Sequence, residues 1–563
     1  MDNLQLPDDM QIWRVDCMPV VSTYCRKIEL METVNSVVSS QMQIQPGEVV
    51  QAMVLDTLSG RSPLYRLAEF FEHQDIELGV GRKLLAEVFN DTNVGRMMDR
   101  IYRAGTMKVF SQVALRATEL FKVNKKVVFY DTTSVNVWGD YDLYHDRQTG
   151  SELLKVTHGH SKDKRNDLKQ FLLEALCVEK NIPIMGGCKD GNSSDKTNNN
   201  KVLKNITGWM AKHGLEPGAF IYVADSAMVT EDNLVQMGQN LFVTRLPFNY
   251  HEADRVVREA VQTNEWEKVG VLTDAVSRKK RAVASYQVYE SKVQRYDKEY
   301  RVVVVHSDAH DKRRLKRIER ELSKGRKELE QEAEKTSKVK YYCLADAKEA
   351  AHRLEKHKSE YHQIRTEVKE VVKYARGRPA KGKPRKIQER RYEVETVAIE
   401  EKGKEVAKKR EEAGCFVLLT NVVTEGEGAQ SGEQVLRLYK DEHGVERNFG
   451  FLKDPLIVND LFLKSPERIE VLGMILLIAL LVWNLIERAM RQYVSESERT
   501  MPGWDKKQTD RPTSFMMSTK FTGLMVVKLG NQRTLGRKLT EVQRVYLKAM
   551  NITPECLLDP GGV

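Results

Sequence analysis

The sequence contains few cysteines, and their spacing does not suit a metal-binding module. Seven of its 563 residues are cysteine, and no two of them form a Cys-x-x-Cys pair. Disulfide-rich secreted domains need a much denser set, and structural zinc sites need closely spaced ligands. This scarcity excludes a disulfide scaffold, argues against structural zinc and predicts a reducing compartment, the cytoplasm.

Membrane-targeting and nucleotide-binding signatures are missing as well. The first nine residues are polar and acidic, so we expect no signal peptide. The longest uncharged apolar run, residues 471–486, is shorter than the ~18 to 20 residues that span a bilayer, and it predicts a buried core helix. There is no Gly-x4-Gly-Lys-Ser/Thr loop and no internal repeat. We therefore expect neither a membrane nor ATP as a partner.

The chain does have enough apolar residues to build cores and an excess of positive charge. Hydrophobic residues make up 41%, and 90 Lys and Arg oppose 80 Asp and Glu, which gives a net charge of +10. At about 150 residues per domain, the length suggests about three or four domains. A basic multidomain chain favours a polyanion partner such as nucleic acid, although many ordinary enzymes are basic too.

Much of the excess charge lies in one short segment, residues 371–390. Glycine and proline interrupt this segment, so it is not predicted to form a helix face. Its Arg-Gly-Arg-Pro stretch resembles an AT-hook, which lies along the narrow minor groove of A·T-rich DNA. A plain basic linker is the alternative. The DNA contacts predicted from this pattern are Arg376, Arg378, Lys381 and Lys383.

Apolar periodicity divides the chain into helical and mixed regions. The helical spacing of residues 1–120 suits a DNA-binding helix-turn-helix region or, equally, a helical cap on an enzyme core. Strands are expected at residues 127–130, 153–156, 171–178, 182–188, 220–224 and 241–246. The predicted α/β domains are a helical N-terminal region (1–120), a mixed-sheet domain in two parts (121–250 and 411–490), an α+β insertion (251–410) and a helical C-terminal region (491–563).

The insertion carries two long, highly charged helical patterns. Apolar residues follow heptad-like spacing through residues 315–329 and again through residues 344–368. Two such helices in succession predict an antiparallel helical hairpin. Most of its lysines and glutamates are expected to form a solvated face without a further function.

Two aspartates follow apolar strands in the predicted sheet. Asp131 ends the stretch VVFYD, and Asp225 ends the stretch FIYVAD. A buried strand delivers its last residue to the sheet edge, where a carboxylate must be solvated, paired or bound to metal. A single strand-end aspartate is commonly a turn former or a helix cap. Two of them together make a metal site an equal alternative.

A third acid lies on a helix predicted over residues 431–453. Tyr439, Glu446 and Lys453 follow one another at intervals of seven residues, about two helical turns, so they project from one face. An acid between a phenol and an ammonium suits a phosphodiester, with the acid on metal and its neighbours on phosphate oxygens. The alternative is a surface stripe on an amphipathic helix.

Together these motifs resemble those of bacterial insertion-sequence DDE transposases with the Tyr-x2-Arg-x3-Glu-x6-Lys signature. The matching segments are YDTTSV (130–135), HGHSKDKRNDLKQF (158–171), KDGNSSDK (189–196), VADSAM (223–228), RGRPAKGKP (376–384) and the helix over 439–453. The resemblance covers most of the chain. It implies a ribonuclease-H-like catalytic domain split by an insertion and preceded by a DNA-binding region.

The resemblance also implies a site, an activity and partners. Asp131, Asp225 and Glu446 would be the catalytic acids that bind two Mg²⁺ ions, which Mn²⁺ can replace. Tyr439 and Lys453 would contact DNA. The implied reaction is metal-dependent cleavage at the element's terminal inverted repeats and strand transfer to target DNA by a cut-and-paste route, in a synaptic homodimer. The alternative functions are a ribonuclease-H-fold nuclease without strand transfer and a DNA-binding protein with a decayed catalytic site.

One position departs from the signature, because Glu442 stands where the family has arginine. An acid cannot replace a guanidinium on phosphate. The missing cation is expected from Arg447, Lys440 or Arg437. Four further basic residues lie between two predicted strands and are expected to contact the DNA backbone: Lys162, Lys164, Arg165 and Lys169.

Overall fold

A computed structural model describes the chain as two compact units. The described residues are 10–60, 66–137, 141, 153–161, 165–179, 181–272, 284–308, 312–357, 359–377, 384–441, 448, 450–451 and 463–561. Helices account for 47% and strands for 25%, which confirms the predicted α/β class. The first unit combines residues 1–244 with 438–563, and the second comprises residues 245–437.

The first unit begins with one strand and a series of helices. Its elements are β1 (Met10–Arg14), α1 (Met18–Lys27), α2 (Leu30–Val37), α3 (Pro46–Leu55), α4 (Leu67–Glu72), α5 (Ile76–Val80), α6 (Asp91–Ala104) and α7 (Thr106–Leu120). Helix α3 has Pro46 at its first position, and the Glu48 carboxylate accepts a hydrogen bond from the Gln45 N–H at 2.8 Å. The helical character predicted for this region is confirmed, and β1 was not predicted.

Five strands of a larger mixed sheet follow. The elements of this part are β2 (Val127–Val137), β3 (Lys169–Val178), β4 (Ile182–Lys189), α8 (Asp195–Lys212), β5 (Ile221–Ala224), α9 (Glu231–Met237) and β6 (Leu241–Leu246). The strands lie in the order β4-β3-β2-β5-β6. Strands β2, β3 and β4 are antiparallel neighbours, whereas β5 runs parallel to both β2 and β6. The strand predicted at residues 153–156 is wrong, since only Thr157 forms a bridge, to Gln170.

The second unit is α+β. Its elements are α10 (His251–Thr263), β7 (Glu267–Val271), β8 (Ser285–Arg295), β9 (Lys298–Ser307), α11 (Lys312–Ser337), α12 (Leu344–Glu355), β10 (His362–Tyr374), β11 (Ile387–Glu401), α13 (Gly403–Glu412), β12 (Cys415–Thr420) and α14 (Gly432–Asp441), the last of which extends past residue 437 into the first unit. Strands β12, β9, β8 and β7 are successive antiparallel neighbours. Strands β10 and β11 form a separate two-stranded ribbon.

The second helix predicted in the insertion is wrong beyond Glu355. The structure ends α12 there, and residues 362–374 form β10 instead. Apolar residues four positions apart, such as Ile364 and Val368, fit a helical face and an alternating strand equally well, because four is a multiple of the strand period. These residues form a strand because they pair with β11 along its length. Ile364 is buried with Leu354 and Ala333.

The first unit resumes with a long apolar helix. Helix α15 (Pro466–Ser497) begins after Ser465, whose side chain accepts a hydrogen bond from Arg468 N. It packs against β4, α3, α6 and α7. Among the described residues it is the one helix long and apolar enough to cross a membrane, yet 94% of its most apolar window is buried inside the protein. The predicted core helix is confirmed, and the cytoplasmic location stays a prediction.

The C-terminal region combines helices with short strands, and the strands were not predicted from the sequence. It contains β13 (Met501–Pro502), β14 (Gln508–Thr509), α16 (Ser514–Phe521), β15 (Met525–Leu529), β16 (Gln532–Leu535) and α17 (Glu541–Ala549). Strand β15 pairs with both β16 and the N-terminal β1, from Met10 opposite Leu529 to Arg14 opposite Met525. The two ends of the chain therefore share one small sheet. These strands are too short to show an alternating pattern, and β1 lies some 500 residues away in sequence.

Candidate active site

Asp131 of β2 and Asp225, the residue that follows β5, come at equivalent positions after the pairing of two adjacent parallel strands. Strands β2 and β5 pair from Val127 opposite Ile221 to Phe129 opposite Val223. Each aspartate follows the last paired residue of its strand by two positions, so the two are in register. Neighbouring strands are about 4.8 Å apart, and residues two positions apart share a face of the sheet. The fold thus brings together two acids that are 94 positions apart in sequence.

The prediction that both aspartates end their strands is right for Asp225 and wrong for Asp131. Strand β5 ends at Ala224, whereas β2 continues to Val137 because it pairs with β3, with Asp131 opposite Ala175. The parallel pairing of β2 with β5 ends at Phe129, two residues before Asp131. Both aspartates are half-buried.

Backbone amides hold each carboxylate in place. One carboxylate oxygen of Asp131 accepts a hydrogen bond from Thr132 N at 2.7 Å. One carboxylate oxygen of Asp225 accepts a bond from Ala227 N at 3.0 Å, and the Asp225 carbonyl accepts one from the buried Thr244 hydroxyl at 2.7 Å. Asp225 therefore also caps the short turn that follows β5, which was the alternative role considered for a strand-end aspartate.

The donor chemistry of this pair suits a hard divalent cation. Mg²⁺ and Mn²⁺ prefer carboxylate oxygens, and two half-buried carboxylates on neighbouring strands repel each other unless a positive charge lies between them. Within the described part of the chain, no group of three or more His, Cys, Asp or Glu side chains could hold a metal ion. The third predicted ligand, Glu446, lies outside the described residues. The described pair therefore supplies two carboxylate ligands.

The predicted signature helix is described only in part. Helix α14 carries Tyr439 in its last turn, where the side chain is half-buried. Glu442, Arg447 and Lys453 lie outside the described residues, so their predicted roles stay predictions. Beyond α14, residues 448 and 450–451 are again helical.

The segment that contains Asn448 meets β3 close to Asp131. Asn448 is buried, and its side-chain nitrogen lies 3.8 Å from the Cys177 sulfur. Cys177 lies opposite Phe129 of β2. Burial raises the pKa of the Cys177 thiol above its usual range; the Asn448 amide opposes this rise, and the negative charge of Asp131 adds to it. Asn448 and Asp131 thus act on the same side chain.

The predicted DNA contacts are spread over several segments. Arg165 forms a two-pronged ion pair with Asp167, and Lys169 begins β3 as a half-buried residue. Arg376 is exposed just after β10, at the turn of the ribbon. The remaining members lie outside the described residues: Lys162, Lys164, Arg378, Lys381 and Lys383. Since the described members belong to separate segments, their DNA contacts stay predictions.

Sequence reasoning missed three asparagines near the proposed site. Asn181, Asn448 and Asn484 hydrogen-bond to one another in the first unit. One available signal was an amide, Asn484, in the middle of the apolar run of α15. A polar residue at such a position needs a buried partner.

Comparison with known proteins bears on the N-terminal region alone. Residues 10–115 match the family model of a domain of unknown function, DUF4277. This segment runs from β1 into α7 and ends before the sheet that carries Asp131 and Asp225. No curated protein matches the chain.

Proposed function

We propose that this chain is the DNA transposase of an insertion sequence, which cuts DNA at the ends of its element and joins them to target DNA. The observation that carries the proposal is that Asp131 and Asp225 each follow the last parallel pair of β2 and β5, Phe129 opposite Val223, by two positions. The two aspartates lie in the part of a mixed sheet where three antiparallel strands are followed by two parallel ones. This arrangement supports the ribonuclease-H-like core that the sequence motifs imply.

The proposed metal ligands are Asp131, Asp225 and Glu446. When bound, two Mg²⁺ or Mn²⁺ ions supply activation of the attacking oxygen and charge stabilisation of the leaving oxygen. The chain's own contribution is to hold the carboxylates before DNA arrives. Thr132 N and Ala227 N fix the two aspartates, so little reorganisation is needed when a cation and a phosphodiester bind.

A basic DNA track is the other part of the proposal. The aspartates alone would repel DNA phosphates, so a chain that binds DNA needs cationic groups as well. Exposed Arg376 and the basic residues that follow it in sequence are suited to binding DNA phosphates. The overall charge of +10 supports the same partner.

A cleavage assay with matched acid variants tests the proposal. The substrate is a labelled duplex that ends in an inverted repeat to be identified in the DNA flanking the gene, and it is incubated with protein and Mg²⁺. We expect Asp131→Asn, Asp225→Asn and Glu446→Gln each to lower the cleavage rate by roughly three orders of magnitude or more, because each removes a metal ligand. Binding to the labelled duplex should change little.

Asp232→Asn is the control, since Asp232 is exposed in the first turn of α9. It should cleave as the wild type does. Wild-type cleavage by any one of the three acid variants would refute that residue's assignment, and cleavage that survives removal of all divalent cations would refute the proposed chemistry.

A further inference from the structure

A buried network of three amides joins the segment at residue 448 to the core of the first unit. Asn448 and Asn484 are each 4% exposed. The Asn181 carbonyl, in the turn between β3 and β4, accepts hydrogen bonds from both side-chain nitrogens at 2.7 Å. The Asn484 nitrogen also donates to the Asn448 oxygen at 3.2 Å, and the Asn181 nitrogen donates to the Asn484 oxygen at 3.2 Å.

The energetics of this network specify one position for the segment. A buried amide that loses its partner is destabilising, because it has lost its hydration without gaining a hydrogen bond, whereas a paired amide is close to neutral. Asn484 lies among apolar residues of α15 that are themselves buried. A shift of the 448 segment along α15 would break the bonds of Asn448 to the Asn181 carbonyl and to Asn484, whereas Asn484 would keep its bonds to Asn181. The network opposes such a shift because Asn448 would be left unpaired.

An aromatic stack provides a second attachment. The Phe451 and Trp483 rings are stacked with their centroids 5.2 Å apart and their planes at 22°. Asn448 and Phe451 are three positions apart in a helical segment, so they lie on neighbouring parts of one face. Two attachments at this spacing fix both the position of the segment and its rotation about its own axis.

The attached face lies next to the acid pair. The Asn448 side chain contacts Cys177 of β3. Cys177 pairs with Phe129 of β2 and lies two positions from Ala175, which pairs with Asp131. Glu446 precedes Asn448 by two positions, and two residues of extended chain span at most about 7 Å. Anchoring Asn448 therefore limits how far the third acid can be from Asp131 and Asp225.

We propose that Asn181, Asn448 and Asn484, together with the Phe451–Trp483 stack, are positioning residues that hold the third acid at the metal site. The inference rests on the proposed function, since it assumes that Glu446 is a metal ligand. Because these residues act through Glu446, replacing them should lower the affinity for metal. The same replacements should have no effect on metal affinity when Glu446 has been changed to the neutral glutamine.

Asn484→Leu is the most informative variant. Leucine has a similar volume and suits the apolar helix, so α15 should keep its packing while Asn448 loses a partner. We expect faster amide hydrogen exchange in residues 438–451. The affinity for metal is measured by following Tm as Mn²⁺ is added. We expect the Mn²⁺ concentration that gives half of the full rise in Tm to be roughly 10-fold higher in the variant than in the wild type. Asn205→Ala is the control, because the exposed Asn205 side chain bonds within α8, to the Lys201 carbonyl at 2.9 Å.

A double-mutant cycle distinguishes positioning from general destabilisation. In a Glu446→Gln background, Asn484→Leu should leave the Mn²⁺ midpoint unchanged, because the residue through which it acts is already neutral. Phe451→Leu removes only the stack and should shift the midpoint in the same direction, which keeps the test decisive if Asn484→Leu folds poorly.

The outcomes separate this inference from the proposed function. Suppose that Mn²⁺ raises the Tm of the wild type, and that Asn484→Leu has the same Mn²⁺ midpoint and the same rate of amide hydrogen exchange. That result would overturn this inference and leave the proposed function standing. A wild-type chain whose Tm does not respond to Mn²⁺ would overturn the proposed metal site and the inference with it.

Discussion

At the residue scale, Glu470 shows how burial changes a carboxyl group in this fold. Glu470 lies near the start of α15, and burial raises its pKa to about 7; the nearby Glu467 adds to the rise, and Lys189 opposes it. The folded chain therefore keeps a proton that the unfolded chain releases. Between about pH 4.5 and 7, this difference makes stability fall as the pH rises.

Glu470→Gln should remove this pH dependence. At pH 8 the variant should be more stable than the wild type by about 1–2 kcal/mol, allowing for the partial exposure of the side chain, and at pH 4 the two should be nearly equal. Urea unfolding at both pH values measures the difference. Glu496→Gln, at an exposed position of the same helix, is the control for the loss of one carboxyl group. Equal stability of wild type and Glu470→Gln at pH 8 would show that Glu470 ionises without penalty.

At the element scale, the β10–β11 ribbon separates paired from exposed charges. Along its stem, basic residues face acids on the opposite strand: Lys369 lies 3.1 Å from Glu395, and Arg390 lies 2.8 Å from Glu370. Such neutralised charges add little to phosphate binding. Arg376 at the turn is exposed. The turn is therefore expected to contribute more than the stem to DNA affinity.

Replacing Arg376, Arg378, Lys381 and Lys383 by glutamine should weaken DNA binding and reduce its salt dependence. For every phosphate that the variant no longer neutralises, the slope of log K against log salt should become shallower by about 0.9. Binding titrations between low and physiological salt measure this slope. Lys369→Gln is the matched control, since Glu395 already pairs with Lys369, and it should leave the slope almost unchanged. If the variant with all four substitutions keeps the wild-type slope of log K against log salt, these basic residues do not contact DNA.

The strands of the chain show where sequence patterns were sufficient for prediction and where they were not. Strands 171–178, 182–188 and 241–246 were predictable because their apolar runs are continuous and bounded by polar turns. Strand β10 was missed because residues four apart satisfy both periods. Asp131 and Asp225 could be proposed from their apolar context, but their register depends on the pairing of β2 with β5. The Asn181–Asn448–Asn484 network depends on tertiary packing that no local pattern encodes.

At the scale of the whole molecule, the two ends of the chain depend on each other within the first unit. Strand β15 lies between β1 and β16, and the Tyr24 hydroxyl of α1 donates to the Met550 carbonyl at 3.0 Å. Arg533 of β16 forms a buried ion pair with Asp75, the cap of α5, at 2.6 Å. Removing one partner of such a pair leaves an uncompensated buried charge.

A chain that ends at Glu498 should therefore lose the fold of its N-terminal helices. Without residues 499–563, β1 loses its partner strand β15 and Asp75 loses its ion pair with Arg533. Limited proteolysis followed by mass spectrometry should show cleavage within residues 10–115 that the full chain resists. A chain that ends at Pro560 is the control and should resist as the full chain does. If residues 10–115 resist proteolysis equally well in both truncated chains, the fold of the N-terminal helices does not depend on the C-terminal region.

Joining of DNA strands is the most direct test of the proposed transposase function. The full chain is incubated with Mg²⁺, a plasmid target and a labelled duplex that ends in an inverted repeat to be identified in the DNA flanking its gene. We expect labelled strands covalently joined to the plasmid with the wild type and none with Asp131→Asn or Asp225→Asn. Metal-dependent cleavage without any joined product would indicate a nuclease instead, and joining by Asp131→Asn at the wild-type rate would contradict the role assigned to the carboxylate pair.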